Sequence, residues 1–214
     1  MKEALAMILE EGVVPVIRVA SAEEALEVAK ALKEGGISVI EVTMTVPGAM
    51  DVIKEVSQKF KGKVLLGAGT ILDAETARLA LINGAQFLVT PTLNVEVIKM
   101  SNRYSAVVIP GALTPTEILT AWEAGADLVK VFPIGQVGGP AYIRAIKAPL
   151  PHIPLVPTGG VNLQNAGEFI KAGAAAIAAG GELVDKKAVA EKKYSVVIEN
   201  ARKFLAEVKK ARGK

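Results

Sequence analysis

The sequence predicts an α/β chain folded as a (β/α)8 barrel in one domain, and three observations lead there. Strand-like and helix-like segments alternate from end to end, with eight aliphatic runs long enough to be strands. A phrase of helix end, glycine and strand recurs at Gly35-Gly36-Ile37, Gly84-Ala85-Gln86, Gly125-Ala126-Asp127 and Gly173-Ala174-Ala175, at spacings of 49, 41 and 48 residues. Each spacing fits two strand–helix units, so the chain reads as four double units. Hydrophobic residues make up 51% of the 214 residues but aromatic ones only 4%, which leaves Val, Ile, Leu and Ala to build the core. Helix-covered parallel sheets have strands of that kind. Flavodoxin-like and Rossmann sheets compete, but they normally use fewer strands.

The expected strands are residues 13–19, 37–43, 64–70, 86–90, 106–111, 127–132, 154–158 and 174–180. Several helix starts are marked. Ser21-Ala22-Glu23-Glu24 and Thr114-Pro115-Thr116-Glu117 both fit a capping box, the second with proline at the first helical position. Asp73 and Asn162 are further N-cap candidates. Glycine at each recurring helix end suits a left-handed turn. The single domain covers 1–214, with a helix before the first strand and a basic helix at the C-terminus.

Composition narrows the function classes. With no cysteine there is no disulfide framework, thiolate nucleophile or zinc–sulfur site. No apolar run approaches the roughly 18 residues of a membrane span, and the N-terminus lacks a secretory apolar stretch. A cytoplasmic protein without a membrane partner is expected. The pI near 9.0 suggests nucleic acid until the charges are located. Of 25 basic and 22 acidic residues, ten and three lie in 186–214, which leaves 15 against 19 elsewhere. Val196, Val197, Phe204, Leu205 and Val208 make that tail an amphipathic helix with a solvated lysine face. No aromatic residues interleave as a stacking platform requires, so no nucleic-acid partner is expected.

The stretch Ala126-Asp127-Leu128-Val129-Lys130-Val131-Phe132-Pro133 places a lysine inside an apolar strand. Leu128, Lys130 and Phe132 share one face, and Val129 and Val131 the other. A buried ammonium is disfavoured by desolvation, and a neutral amine attacks ketones. An edge-strand lysine reaching solvent is the competing explanation. Glu41 shares a strand face with Val39, and an unpaired buried carboxylate is costly. Arg18 ends the first strand, Thr70 the third and Thr158 the seventh, while Pro91 follows the fourth. Barrels carry their sites at the strand carboxyl ends, so Arg18, Glu41 and Lys130 would reach one mouth. For each alone an ion pair explains as much; three on separate strands favour a site.

Gly67-Ala68-Gly69-Thr70 lacks the third glycine of a dinucleotide fingerprint. Thr158-Gly159-Gly160-Val161-Asn162 and Gly180-Gly181 follow the seventh and eighth strands, where barrels hold phosphate on backbone N–H groups. Gly138-Gly139-Pro140, after the sixth strand, is placed to cover the same site. The lone histidine, His152, sits in a proline-rich loop and reads as structural. No zinc ligand set exists, and although one or two carboxylates with substrate suffice for Mg²⁺, no metal is expected.

Taken together, these segments resemble the 2-keto-3-deoxy-6-phosphogluconate (KDPG) aldolase family. The likeness runs through Gly125-Ala126-Asp127-Leu128-Val129-Lys130-Val131-Phe132-Pro133, Glu41-Val42-Thr43, Gly67-Ala68-Gly69-Thr70, Pro110-Gly111-Ala112-Leu113-Thr114-Pro115-Thr116-Glu117 and Pro157-Thr158-Gly159-Gly160-Val161-Asn162. It implies a (β/α)8 class I aldolase, usually a homotrimer, that needs no cofactor and acts on a small keto-acid phosphate. Some members also cleave 4-hydroxy-2-oxoglutarate. By resemblance Lys130 forms the imine and Glu41 is the general acid/base. Thr70 and Thr158 contact substrate, and Pro91 and Phe132 shape the pocket. Gly159, Gly160, Gly180 and Gly181 take the phosphate. Two departures stand out. Thr45 occupies a position where many relatives carry arginine, which passes carboxylate recognition to Arg18. Gly181 and Glu182 follow Gly180 where relatives have Gly-Ser, so one phosphate hydroxyl is lost. Two alternatives use the same features: a phosphate-binding barrel transferase, and an aldolase-derived assembly scaffold.

Overall fold

The computed structural model describes residues 2–213. Helix α1 (Lys2–Glu11) precedes β1 (Val13–Ile17), α2 (Ala22–Glu34), β2 (Val39–Thr43), α3 (Ala49–Lys59) and β3 (Leu65–Gly69). Then come α4 (Ala74–Ile82), β4 (Phe87–Val89), α5 (Val95–Arg103), β5 (Val107–Ile109) and β6 (Gly111–Ala112). The chain continues through α6 (Pro115–Glu123), β7 (Val129–Val131), α7 (Pro140–Lys147), β8 (Leu155–Pro157) and α8 (Ala166–Lys171). It finishes with β9 (Ile177–Ala179), α9 (Lys186–Ala190) and α10 (Tyr194–Ala211).

All eight expected strand segments are present, and every pairing is parallel. One sheet runs β5-β4-β3-β2-β1-β9 and the other β6-β7-β8. The segment expected as one strand, 106–111, divides at Pro110, which has no N–H to give to a ladder. Its halves serve different neighbours: β5 pairs with β4, and β6 with β7. At the other margin Thr158, just after β8, bridges to Ala178 in β9. The parallel sheet therefore curls.

Alternation along the strands divides the core in two. Val14, Val16, Val39, Leu65, Phe87, Val107, Leu128, Val156 and Ala178 form one cluster, and Ile8 of α1 belongs to it. Ile17, Ile40, Val42, Leu66, Leu88, Val129, Val131, Leu155 and Ile177 face the other way, into a cluster with Val28, Leu32, Val52 and Ile53 of the helices. The first helix thus covers the end of the sheet where the strands begin.

Local chemistry mostly falls where the sequence puts it. Thr114 and Glu117 complete a capping box at α6, and the Asp73 carboxylate accepts from the Thr76 N–H at α4. Ser21 Oγ accepts from the Glu24 N–H, but the Glu24 carboxylate takes the Ala20 N–H rather than that of Ser21. Asn162 does not cap α8. It exchanges side-chain and backbone bonds with Asn165 in the turn before the helix. The four recurring helix ends do carry left-handed glycines, with φ of 97° at Gly36, 108° at Gly84, 96° at Gly125 and 98° at Gly173. Helix α10 buries Val197, Ala201, Phe204 and Val208 against α2 and α8 and leaves its lysines outside. Among the described residues no helix is long and apolar enough to cross a membrane.

One half-buried carboxylate ties α1 to the sheet. Glu11 accepts from the backbone N–H groups of Ser38 at 2.7 Å and Val39 at 2.9 Å, where β2 starts. Burial still outweighs those bonds and nearby Lys33, and pushes its pKa from 4.5 up to about 7. An acid raised on folding binds protons more tightly in the native chain, so its contribution is full below pH 4.5 and is lost as pH climbs to about 7. Urea unfolding across that window should show wild-type stability falling by roughly 2–3 kcal/mol. Glu11→Gln should flatten the fall; equal slopes in both chains would disprove the assignment.

Candidate active site

Lys130 is the middle residue of β7, between Gly111 of β6 and Val156 of β8. Aliphatic neighbours enclose it to 7% exposure, and its Nζ lies 5.1 Å from the centroid of the Phe132 ring. Glu41 is the middle residue of β2, between Val16 of β1 and Gly67 of β3. It is 1% exposed, and its Oε1 has no hydrogen-bond partner. The ion pairs among the described residues join exposed side chains and include neither of these groups.

Burial pushes the Lys130 amine down; Glu41 opposes that shift and Arg18 adds to it. Burial also pushes the Glu41 carboxyl up, against the pull of Lys130 and Arg18. Both shifts favour the uncharged forms, a free amine and a protonated acid. Such a pair supplies a nucleophile and a proton donor without separating charge in an apolar place.

The space for Glu41 comes from β3. A Cβ on Gly69 would lie 1.8 Å from Glu41 Oε1, and one on Gly67 would lie 2.2 Å from the Phe87 ring. These glycines admit two large side chains from neighbouring strands. Immediately beyond, Thr70 adopts φ of 57°, a left-handed conformation costly for a β-branched residue.

A cavity of about 430 Å³ opens at the carboxyl ends of the strands. Lys130, Thr70, Pro91, Phe132 and Thr158 line it, as do Arg18, Gly159, Gly160, Gly180 and Gly181. Gly159 and Gly160 have φ of 82° and 90°, and a Cβ on Gly160 would come within 2.9 Å of Gly135 Cα. The N–H groups of Gly159, Gly160 and Gly181 meet no acceptor among the described residues. They are available to an anion. Among those residues no three His, Cys, Asp or Glu side chains cluster as a metal site.

A model of the KDPG and KHG aldolase family matches residues 5–200. The chain belongs to that family. It is 36% identical over 185 residues to the 2-dehydro-3-deoxy-phosphogluconate aldolase of Treponema pallidum, covering 86% of this chain and 88% of that one. It is 31% identical over 202 residues to the KHG/KDPG aldolase of Escherichia coli K12, covering 94% of each. The KDPG aldolase from Legionella pneumophila, solved with pyruvate captured as a covalent carbinolamine, superposes with a TM-score of 0.86 at 28% identity. That match covers 93% of this chain and 96% of that one.

In this KDPG/KHG aldolase family member, ten of the expected site residues line one cavity. Glu41 lies behind the wall rather than in it, coupled to Lys130 through space. Thr45 is not in the lining: it is exposed, and its hydroxyl is 2.7 Å from that of Thr43. Gly138 and Gly139 do not reach the cavity either, but lead into α7 with Pro140 at its first turn. His152 stands edge-on to Trp122, 6.0 Å between ring centroids, outside the site. Val16, Val161, Ala178, Glu182, Val184 and Lys186 also line the cavity. Val16 and Ala178 were legible, because they alternate with Arg18 and Gly180. Lys186 was not, because its place in a lysine-rich stretch gives the same signal as a solvated helix face.

The contact between Gly69 and Glu41 predicts a thermodynamic coupling. Gly69→Ala should destabilise the chain by about 1–3 kcal/mol in the wild type, as overpacking does. In a Glu41→Ala background, where the colliding carboxylate is gone, the same change should cost at least 1 kcal/mol less, in the range of measured couplings of about 0.5–3 kcal/mol. Additive costs in the double-mutant cycle would sink the claim that Gly69 exists to admit Glu41.

Proposed function

We propose that this chain is a class I aldolase that cleaves 2-keto-3-deoxy-6-phosphogluconate to pyruvate and glyceraldehyde 3-phosphate, with 4-hydroxy-2-oxoglutarate as a further substrate. The observation that carries this function is a single amine, Lys130, buried at the wall of the cavity and pushed toward its neutral form, with Glu41 behind it. The Lys130 amine adds to the C2 ketone. Protonated Glu41 gives its proton to the departing hydroxyl, so water leaves and a protonated imine faces a carboxylate. That carboxylate takes the C4 hydroxyl proton as the C3–C4 bond breaks, and the bonding electrons move into the enamine. Glu41 returns the proton to C3, and hydrolysis of the imine frees pyruvate and Lys130.

Other residues hold the substrate. Arg18 receives the C1 carboxylate; Thr70 and Thr158 offer hydroxyls; Pro91 and Phe132 set the width of the pocket. The amides of Gly159, Gly160, Gly180 and Gly181 hold the phosphate. The imine is itself the electron sink, so the reaction needs no metal or organic cofactor. We place this activity in one domain, a closed (β/α)8 barrel, in a cytoplasmic homotrimer. Closure is supported by the chain continuity at Pro110 and the Thr158–Ala178 bridge. Association is supported by an apolar strip around α4, where Leu72, Leu79 and Ile82 are 57%, 53% and 60% exposed.

Borohydride reduction in the presence of pyruvate should leave a stable adduct on the peptide containing Lys130, absent in Lys130→Ala. Glu41→Ala should form the adduct more slowly, because loss of water has lost its proton donor, and should slow cleavage by about 10²-fold or more, the usual range for a positioned acid/base; unchanged turnover would remove Glu41 from the mechanism. Light scattering tests the assembly. Leu79→Glu with Ile82→Glu should lower a trimeric mass toward that of the single chain, and an unaltered mass would move the interface elsewhere.

A further inference from the structure

The segment after β9 brings two charged side chains to the cavity, Glu182 and Lys186. The chain leaves β9 at Gly180, whose carbonyl accepts from the N–H groups of Leu183 and Val184, making a tight turn. The Asp185 carboxylate accepts from the Ala188 N–H and so sets the start of α9. Lys186, the next residue, is exposed and lines the cavity. It also shares with Arg18 the wall of an adjoining depression of about 280 Å³, on which Glu24 and Val189 border.

The charges around this point are uncommitted. Among the described residues no ion pair within 4.0 Å engages Arg18, Glu182 or Lys186. The Glu24 carboxylate is occupied by the Ala20 N–H, and that of Asp185 by its helix cap. Glu182 stands on the same turn as Gly181, where its charge opposes any anion bound to the free amides. With Lys130 buried in the wall and Arg18 assigned to the substrate carboxylate, Lys186 is the cation left to offset Glu182 at the glycine end.

We infer that Lys186 binds the distal phosphate of the substrate, completing a site with the amides of Gly159, Gly160 and Gly181 and selecting phosphorylated keto acids over unphosphorylated ones. This role rests on the aldolase function proposed above. An ammonium is a strong phosphate partner and acts as a point charge without demanding bidentate geometry. Its full charge counters that of Glu182 on the same wall. The neighbouring Lys187 does not line the cavity and serves as the control.

The test is steady-state kinetics of the full chain with 2-keto-3-deoxy-6-phosphogluconate and with unphosphorylated 2-keto-3-deoxygluconate. Lys186→Gln should raise KM for the phosphorylated substrate about tenfold, the loss of one charge-assisted contact, with kcat within about threefold. Its kcat/KM for the unphosphorylated substrate should stay within twofold. Lys186→Arg should restore most of the loss, and Lys187→Gln should change neither substrate. Inorganic phosphate should raise the melting temperature of the wild type and of Lys187→Gln, but much less that of Lys186→Gln. Equal effects on the two substrates, or equal phosphate stabilisation of wild type and Lys186→Gln, overturn the role of Lys186. Failure of the wild type to form a borohydride-trapped pyruvate adduct overturns the aldolase function instead, and the phosphate measurement still decides Lys186.

Discussion

Burial of the Lys130 amine beside the Glu41 carboxyl is the constraint to which the rest of the site answers. Taking either group as an ion from water into such a place costs several kcal/mol, and only close pairing would return it. The two are not joined as an ion pair, and both are shifted toward their neutral forms. A lysine this well shielded from water cannot sit on an edge strand open to solvent. It needs strands on both sides, which β6 and β8 supply, and an apolar layer beneath, which Leu128, Val156 and the neighbouring valines supply.

Small residues make the arrangement sterically feasible. Gly67 and Gly69 stand two apart on one face of β3, and each vacates the volume that a neighbouring side chain occupies. Phe87 fills the first space and the Glu41 carboxylate the second. Gly111 has a similar part beside Lys130, since a Cβ there would come within 2.4 Å of the Pro91 backbone. Pro91 can therefore press against the strand and form the pocket wall. Thr70, on the same rim, adopts its strained left-handed conformation.

Much of this was legible in the order of residues. Period-two alternation placed Lys130 with Phe132 and Glu41 with Val39, and capping and glycine signals located the helix ends. What failed did so for local reasons. Pro110 divides the fifth strand because a missing N–H matters only once neighbouring strands are known. Asn162 bonds to Asn165 rather than to α8, since an Asx side chain has several backbone partners within reach. Thr45 follows an active strand, yet its hydroxyl turns back to Thr43. The Gly-x-Gly of β3, read as a failed nucleotide motif, is explained by two side chains from strands far along the chain.

The linear order of side chains determined the alternation of strands and helices, the faces of each strand and the place of Lys130 on an apolar strand. Those properties depend on neighbours a few positions away, and backbone geometry propagates them without further information. The tertiary structure alone decided that Lys130 is buried, that Glu41 stands behind it, and that Lys186 reaches the same cavity. Desolvation and through-space charge are set by atoms brought from β2, β3, β6 and α9, and no local pattern encodes how those distant segments meet.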